Sequence, residues 1–251
     1  MPILSINGHE INVEYHGSAS HPVVILLHHG LGSVRAWKEQ IPALVEAGYR
    51  VVVYDRWGYG RSAPRPALDL PTFAADVADL QALLSHLAIQ RAALVGHSDG
   101  GTLALYYAAQ YPEQVSCLVT IAAHIYVEAS IPVGVQGVGD DYAENARFRA
   151  GLQRAHGEQA EHVFRNWYDG WRGLENLAWD MRPVLAKITC PALVVQGCQD
   201  EHATPQHAGD IAAGIPGAEL WLLEGARHML PQENAVEFNR ALVSFLKRAY
   251  V

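Results

Sequence analysis

The stretch 94-LVGHSDGGTLAL-105 decides how the rest of the chain is interpreted. Apolar residues run up to Gly96 and resume a few residues later, so a buried strand turns directly into a helix here. Ser98 lies at the turn, between Gly96 and Gly100. So sharp a turn forces unusual backbone angles at the serine, and flanking glycines relieve the crowding that side chains would cause. The pattern predicts a nucleophile elbow, which exposes Ser98 Oγ beside a helix N-terminus.

A serine hydroxyl is a weak nucleophile at neutral pH, so it needs a histidine base and an acid that orients the histidine. In this arrangement the acid and the histidine follow the serine in chain order, each just past a strand. The apolar run 192-ALVVQG-197 is followed by Asp200, and the run 219-ELWLLEG-225 is followed by His228. We therefore predict that Ser98, Asp200 and His228 form a catalytic triad.

Two other carboxylates compete with Asp200 for the role of the acid. Glu201 is its neighbour in the same loop, where adjacent side chains point in different directions. Glu128 follows the predicted strand at 115–122 and would reach His228 from there. Asp200 is predicted because it follows the penultimate strand, three residues past Gly197, whereas Glu201 should point elsewhere and Glu128 follows an earlier strand.

Attack on a carbonyl creates an oxyanion, which needs preorganised N–H donors. The backbone of Asp99, the residue after the serine, provides one donor. The second is predicted in the turn 28-HHGLGS-33, with Leu31 N–H as the donor and Gly32 N–H as the alternative.

Strand-like and helix-like segments alternate along most of the chain. Such alternation predicts an α/β fold with a doubly wound, mostly parallel sheet. The pair Asn7-Gly8 between two alternating segments predicts an N-terminal hairpin that adds antiparallel strands at one edge. The predicted strands are 23–28, 51–55, 92–96, 115–122, 192–197 and 219–225, and the predicted helices are 35–48, 72–87, 102–111, 205–215 and 234–250.

Residues 130–186 break the alternation. Helical patterns appear at 140–155 and 158–170, and an aromatic run, 167-WYDGWRGLENLAW-179, follows. Because this segment lies between two strands, we predict a helical insertion over the C-terminal edge of the sheet, where ligands of α/β proteins bind. The predicted organisation is a core of residues 1–129 and 187–251 with a helical cap at 130–186.

Composition excludes several partners. The 251 residues carry 18 Lys and Arg against 26 Asp and Glu, a formal net charge of −8, so neither nucleic acid nor an anionic membrane is an expected partner. No apolar stretch reaches the roughly 18 residues of a membrane span, and the N-terminus shows no signal-peptide pattern. Three cysteines without a CxxC spacing indicate free thiols and a cytoplasmic location. The adjacent His28 and His29 should face opposite sides of a strand, so no metal site is predicted.

Together these residues closely resemble the α/β-hydrolase family. The motifs are His29-Gly30, 55-DRWGYGRS-62, 96-GHSDGG-101, 197-GCQDEHATP-205 and 225-GARHMLP-231. The resemblance implies the same triad, oxyanion donors at Leu31 and Asp99, a cap at 130–186 and no cofactor. The chain departs from many members at Asp99, where they carry a hydrophobic or neutral residue, and this leaves the preferred substrate open.

The leading functional prediction is a serine hydrolase that cleaves a small carboxylic ester or thioester. The alternatives with the same triad are hydrolysis of a carbon–carbon bond in a ring-fission product and opening of a lactone. A non-catalytic ligand receptor on the same fold is a further alternative. The residues predicted to line the substrate pocket are His29, His124, Trp167, Trp171 and Met229.

Overall fold

Eight strands form one sheet in the computed structural model, which describes residues 2–174 and 178–250. The strands are β1 (Ile3–Ile6), β2 (His9–His16), β3 (Val23–Leu27), β4 (Arg50–Tyr54), β5 (Ala92–His97), β6 (Val115–Ile121), β7 (Ala192–Gly197) and β8 (Glu219–Leu223). Their order is β1-β2-β4-β3-β5-β6-β7-β8. The first two pairings are antiparallel and all others are parallel. The predicted mostly parallel sheet with an N-terminal hairpin at one edge is therefore confirmed.

Helices cover both faces of this sheet. The described helices are α1 (Gln40–Glu46), α2 (Ala74–His86), α3 (Asp99–Gln110), α4 (Ile131–Glu144), α5 (Ala146–His156), α6 (Ala160–Arg172), α7 (Arg182–Leu185), α8 (Pro205–Gly214), α9 (Leu230–Glu233) and α10 (Ala235–Ala249). Apolar residues of α2, α3, α7 and α8 pack on one face, and those of α1 and α10 pack on the other. No helix in the described part of the chain is long and apolar enough to cross a membrane.

The central strands are buried on both sides, as their unbroken runs of Val, Leu and Ile predict. β8 differs from this expectation. It is the last strand in sheet order, and its Leu220 and Leu222 are 43% and 42% exposed. An apolar run alone therefore did not distinguish an edge strand from a central one.

Two predicted helices are divided in the structure. The segment predicted as one helix at 35–48 begins as a 3₁₀ turn at Val34–Trp37, and α1 follows it. The segment predicted at 140–155 contains the end of α4 and most of α5. Asn145 separates them because its backbone is extended and its side chain accepts hydrogen bonds from the first N–H groups of α5, at 3.0 and 3.2 Å.

Helices α4, α5 and α6 form a layer of their own, which we call the helical layer. Its members pack around a separate apolar cluster that includes Leu152, Phe164 and Trp171. Met181 and Leu185, which fall within the same predicted insertion, pack instead in the main core with α3 and α8. The chain enters and leaves this region along adjacent paths, since Met181 N donates to Ile125 O at 2.8 Å.

The corner between β5 and α3 is tightly packed backbone against backbone. A Cβ atom on Gly96 would meet the carbonyl group of Gly100, and a Cβ atom on Gly100 would meet the carbonyl group of Leu27 in β3. Between them Ser98 has φ 54° and ψ −120°, a region that side-chain-bearing residues rarely adopt. The glycines therefore let α3 begin directly above the sheet, and Ser98 takes the strained angles of the turn.

Two glycine substitutions should have opposite effects on stability. Gly100→Ala should lower the free energy of unfolding by about 1–3 kcal/mol, because the new methyl group overlaps the backbone of β3. Gly209→Ala, in the middle of α8 with no atom within 4 Å of its Cβ position, should raise it by about 0.5–1 kcal/mol. Urea denaturation of both variants measures the difference. A Gly100→Ala protein as stable as the wild type would contradict the close packing of α3 on the sheet.

Candidate active site

The direction of the strand connections reverses between β3 and β5. β3 is followed in the chain by β4 on one side of it, whereas β5 lies on its other side, so the loops that leave the two strands diverge. Such a switch point opens a crevice at the C-terminal ends of parallel strands. A cavity of about 440 Å³ lies there, between the sheet and the helical layer. Its lining includes Leu31, Ser98, Asp99 and His228.

His228 and Asp200 meet beside this cavity. The Nδ1 atom of His228 lies 3.0 Å from Oδ1 and 2.9 Å from Oδ2 of Asp200. The same carboxylate accepts hydrogen bonds from the backbone N–H groups of His202 and Ala203, at 2.8 and 2.9 Å, and from Gln196 Nε2 at 2.6 Å. Because an ionised carboxylate only accepts hydrogen bonds, the Nδ1 atom carries the proton and Nε2 is left with a free lone pair.

Electrostatics keep Asp200 charged and make His228 more basic than usual. Burial raises the pKa of Asp200, but the His228 ring and the backbone donors lower it more, so the net pKa is well below the ordinary value. Burial lowers the pKa of His228, and the Asp200 charge and hydrogen bond outweigh that effect and raise it. Such a pair can act chemically as an orienting acid and a base.

The two rival carboxylates bind other groups. Glu128 accepts hydrogen bonds from the N–H and the hydroxyl of Thr204, at 3.2 and 3.0 Å, and lies 3.2 Å from His207 Nε2. Glu201 lies 3.0 Å from Arg227 and accepts a hydrogen bond from the backbone N–H of His228, at 3.2 Å. Asp200 is thus the carboxylate that contacts the His228 ring.

Both residues predicted to supply oxyanion donors line the same cavity. Asp99 is the first residue of α3, so its N–H has no acceptor within the helix. Leu31 lies in the turn after β3 and lines the cavity with Ser98. The alternative donor, Gly32 N–H, is already bonded to His29 O at 3.0 Å. Leu31 is therefore the better placed of the two candidates.

The turn that carries Leu31 is fixed from the core side by the buried His28 ring. Its Nε2 atom accepts a hydrogen bond from Arg56 N at 3.1 Å, so its Nδ1–H donates to His29 O at 2.8 Å. Burial lowers the pKa of His28 well below its usual range, which keeps the ring neutral and this arrangement intact.

All five residues predicted for the pocket line the cavity. The helical layer contributes Trp167 and Trp171 from α6, and further apolar side chains from α4 and α5. Two other aromatic residues of the same run have different partners. Trp179 Nε1 donates to Tyr106 OH at 2.9 Å, and Tyr168 OH donates to Gln136 at 3.2 Å. The five predicted lining residues are His29, His124, Trp167, Trp171 and Met229.

The Asp99 carboxyl group is a buried acidic group in the wall of the cavity, next to Ser98. It is 1% exposed, and burial raises its pKa to about 6 although Arg56 lies nearby and opposes the shift. Gly30 packs against the Asp99 carboxyl group and leaves no room for a side chain, because a Cβ there would meet both Asp99 Oδ2 and the Trp167 indole nitrogen. Within the described residues, Asp99 Oδ2 and Trp167 Nε1 are buried without a hydrogen-bond partner.

A buried charge cluster lies behind Asp99, and the sequence did not reveal it. Arg56 lies 3.9 Å from Asp99 and 3.3 Å from Asp76, and Arg65 contacts Asp76 at 2.6 Å and also Asp69. The two buried arginines face two buried aspartates, Asp76 and Asp99, and the partly exposed Asp69. The only sequence signal was that Arg56 belongs to the motif 55–62; nothing in the spacing indicated its partners.

Three further histidines surround His228 but remain uncharged near neutral pH. His97 Nε2–H donates to the backbone carbonyl of His228 at 2.9 Å, and burial lowers the pKa of His97 to about 3. Burial likewise lowers the pKa of His124 to about 3 and that of His202 to about 4. Above pH 6, His228 is therefore the member of this group that changes its charge.

The chain is similar to known hydrolases over nearly its whole length. A family model described as alpha/beta hydrolase fold matches residues 22–183. The human serine hydrolase BPHL is 31% identical and covers 97% of this chain and 85% of its own length. The 2-hydroxy-6-oxo-6-phenylhexa-2,4-dienoate hydrolase of Comamonas testosteroni is 28% identical over 94% of this chain and 91% of its own. The crystal structure of an enol-lactonase from Burkholderia xenovorans LB400 superposes with a TM-score of 0.78 at 24% identity, over 98% of this chain and 100% of that one.

The coupling of His228 to Asp200 predicts a measurable titration. In the wild-type protein the His228 imidazole should titrate above its ordinary pKa of about 6.5, because Asp200 stabilises the protonated ring. In Asp200→Asn the burial effect remains without the charge, so the pKa should fall below 6.5. Nitrogen-detected NMR of the imidazole groups measures both, with His228→Asn identifying the resonance. An unchanged His228 pKa in Asp200→Asn would contradict the coupling.

Proposed function

Because the chain belongs to the α/β-hydrolase family and is an enzyme, we propose that it hydrolyses a small carboxylic ester or thioester through an acyl-enzyme intermediate. One observation carries the proposal: His228 is held by Asp200 at 2.9 Å, beside a cavity that the strained Ser98 also lines. The three groups follow in the chain order that this architecture requires.

In the proposed reaction Ser98 Oγ attacks the carbonyl carbon while His228 Nε2 takes its proton. The negative charge on the carbonyl oxygen is stabilised by the N–H groups of Asp99 and Leu31. His228 then gives the proton to the leaving alcohol or thiol, and a water molecule, activated by the same base, releases the acid from Ser98. Asp200 stays ionised throughout and stabilises the imidazolium.

We propose that the helical layer acts as a cap over this site, on a core formed by residues 1–129 and 187–251. Its apolar side chains form the far wall of the cavity, so a bound acyl group would be removed from water. Exclusion of water strengthens the electrostatic interactions that stabilise the oxyanion. Aromatic side chains from α6 would then set the size of the acyl group that fits.

The charge balance of the pocket supports a selectivity for substrates without a negative charge near the reacting carbonyl. Asp99 follows Ser98 directly, and its nearest arginine, Arg56, lies 3.9 Å away and is shared with Asp76. His97 and His124 are neutral and offset none of its charge, and the two other charged residues that line the cavity, Asp141 and Arg147, have opposite signs. An anionic acyl group would be repelled here, whereas a cationic group, such as an ammonium, would be attracted.

The relatives act on different bonds, so two alternatives with the same residues stay open. The name of the Comamonas testosteroni protein describes hydrolysis of a dienoate, and the Burkholderia xenovorans structure is that of an enol-lactonase. A panel of p-nitrophenyl esters, acyl thioesters, lactones and ring-fission dienoates separates these reactions by kcat/KM. Labelling of Ser98 by a fluorophosphonate separates all of them from a non-catalytic ligand receptor.

The three cysteines support the cytoplasm as the proposed location. Cys117, Cys190 and Cys198 are all free thiols, and the first two are buried. Free thiols persist where glutathione and thioredoxin keep them reduced.

Substitution of the two competing carboxylates tests the proposed acid. Asp200→Asn should lower kcat on an activated ester by roughly 10⁴-fold, because His228 loses its tautomer and its counter-charge. Glu128→Gln should keep at least a tenth of the wild-type rate, because Glu128 bonds Thr204 and His207 instead. Ser98→Ala, with its fold checked by circular dichroism, gives the background rate for both. The reverse ranking would assign the acid to Glu128, and wild-type turnover in Ser98→Ala would refute the nucleophile.

The charge of Asp99 predicts a pH-dependent selectivity. Consider three p-nitrophenyl esters of equal chain length whose acyl groups end in an ammonium, a methyl or a carboxylate. Asp99 is ionised above its pKa of about 6, so discrimination against the carboxylate should grow as the pH rises from 5 to 8. At pH 8 we expect the enzyme to discriminate against the carboxylate ester by roughly tenfold or more in kcat/KM. This corresponds to a free-energy difference of about 1.4 kcal/mol.

Asp99→Asn is the matched control, since it keeps the backbone donor and the side-chain shape but removes the charge. In this variant the kcat/KM values of the three esters should differ by less than about threefold at every pH. When the esters compete in one solution, the ratio of their kcat/KM values is measured. Protonation of His228 changes the rates of all esters by the same factor, so it does not affect this ratio. Discrimination that survives in Asp99→Asn, or that is independent of pH, would contradict the role of this carboxylate.

A further inference from the structure

His156 connects the helical layer to the turn that carries the proposed oxyanion donor. It is the last residue of α5, and its side chain is buried at 3% exposure. Its Nδ1 atom lies 2.9 Å from Gly60 N, and its Nε2 atom lies 3.1 Å from Leu31 O. A single imidazole ring therefore bridges two core loops from the helical layer.

The two partners determine the protonation state of this ring. Gly60 N–H only donates, so His156 Nδ1 must accept with its lone pair. The proton of the neutral ring is then on Nε2, which donates it to Leu31 O. Burial lowers the pKa of His156 and so favours this neutral form. A protonated ring would direct a second N–H group at Gly60 N–H and break that contact.

The Gly60 side of the bridge is rigid. Gly60 has φ 56°, and a Cβ atom there would meet the carboxyl group of Asp55, so its backbone packs directly against that side chain. Gln159, which follows α5, donates to Gly60 O at 2.7 Å and to Ser62 O at 3.1 Å. The imidazole of His156 is consequently held at a constant position relative to the core.

The Leu31 side of the bridge is the middle of the turn. Before it, His29 O is held by the His28 ring. After it, Val34 N–H donates to Asp55 Oδ1 at 2.7 Å. Between these two points the carbonyl of Leu31 is bonded to His156. The bond holds the peptide group between Leu31 and Gly32, and with it the position of the Leu31 Cα atom next to its N–H group.

We propose that His156 is a positioning residue for catalysis: through its hydrogen bond to Leu31 O, it holds the Leu31 backbone at the distance from Ser98 at which Leu31 N–H meets the oxyanion. The inference rests on the proposed function of the site. Loss of an oxyanion donor lowers kcat by about 10²–10³-fold, and a misplaced donor should cost part of that, roughly 10–100-fold. Because the donor acts on the transition state, KM should change little.

A pair of amide substitutions separates the two halves of the bridge. In His156→Asn the side-chain oxygen takes the place of Nδ1 and still accepts from Gly60 N–H, but no donor reaches Leu31 O. In His156→Gln the side-chain NH₂ takes the place of Nε2 and still donates to Leu31 O. Gln159→Ala is the control for attachment of the helical layer, because it removes bonds to Gly60 and Ser62 and leaves Leu31 untouched.

On one activated ester, His156→Asn should lose about 10–100-fold in kcat with KM within threefold of wild type. Its affinity for a trifluoromethyl ketone, which forms an oxyanion on Ser98, should fall in parallel. His156→Gln should recover most of both values, and Gln159→Ala should stay within twofold of wild-type kcat while its melting temperature falls. Equal rates in the Asn and Gln variants, or losses that follow the melting temperature, would overturn the positioning role. Absence of Ser98-dependent turnover in the wild type would instead refute the proposed function.

Discussion

Between Gly96 and Gly100 the backbone of α3 comes so close to β3 and β5 that neither residue has room for a Cβ atom. This contact places the first turn of the helix directly above the ends of the strands. Ser98 must then adopt φ 54°, and its own N–H is held by Ile121 O of β6 at 2.7 Å. The proposed nucleophile and the proposed Asp99 donor are therefore adjacent on one rigid corner, and neither moves without the other. Precise placement of reacting groups is a major source of catalytic rate.

Two aspartates at this site show how strongly the surroundings decide the behaviour of a carboxyl group. The side chain of Asp200 is fully buried, but it accepts hydrogen bonds from two backbone N–H groups and from Gln196. It also contacts the His228 ring, which carries a positive charge during the proposed reaction. Its pKa is lowered. Asp99 is equally buried, has an Oδ2 atom without a partner among the described residues, and has its nearest arginine at 3.9 Å, so burial dominates and its pKa rises. Asp200 is suited to stabilising a cation at every pH near neutrality. Asp99 is suited to interacting with the charge of a ligand in a pH-dependent way.

The features that the sequence predicted are those with a local signature or a fixed order along the chain. The elbow at Ser98 is visible because a strand, a turn and a helix follow one another, and Asp200 and His228 are visible because each follows a strand. Arg56 and His156 had no such signature. His156 contacts Gly60, which is 96 positions earlier in the chain, and Leu31, which is 125 positions earlier. Such pairings depend on how the helical layer lies on the core. The exposed face of β8 was missed for a related reason, since sheet order and not composition decides which strand is the edge.

The helical layer differs from a simple cover because its polar side chains bind the backbone of the core. Asn166 donates to Arg65 O at 3.0 Å and accepts from Leu68 N at 3.1 Å, and His162 Nε2 lies 2.7 Å from the same Arg65 carbonyl. The side chain of Arg65 in turn pairs with Asp76, the partner of Arg56. A change in the helices that altered their position would thus act on the charge cluster behind Asp99 as well as on the shape of the pocket. The proposed charge selectivity depends on this layer through Arg65, and the proposed oxyanion donor depends on it through His156. Exchange of these helices between relatives should therefore alter kcat together with the range of substrates.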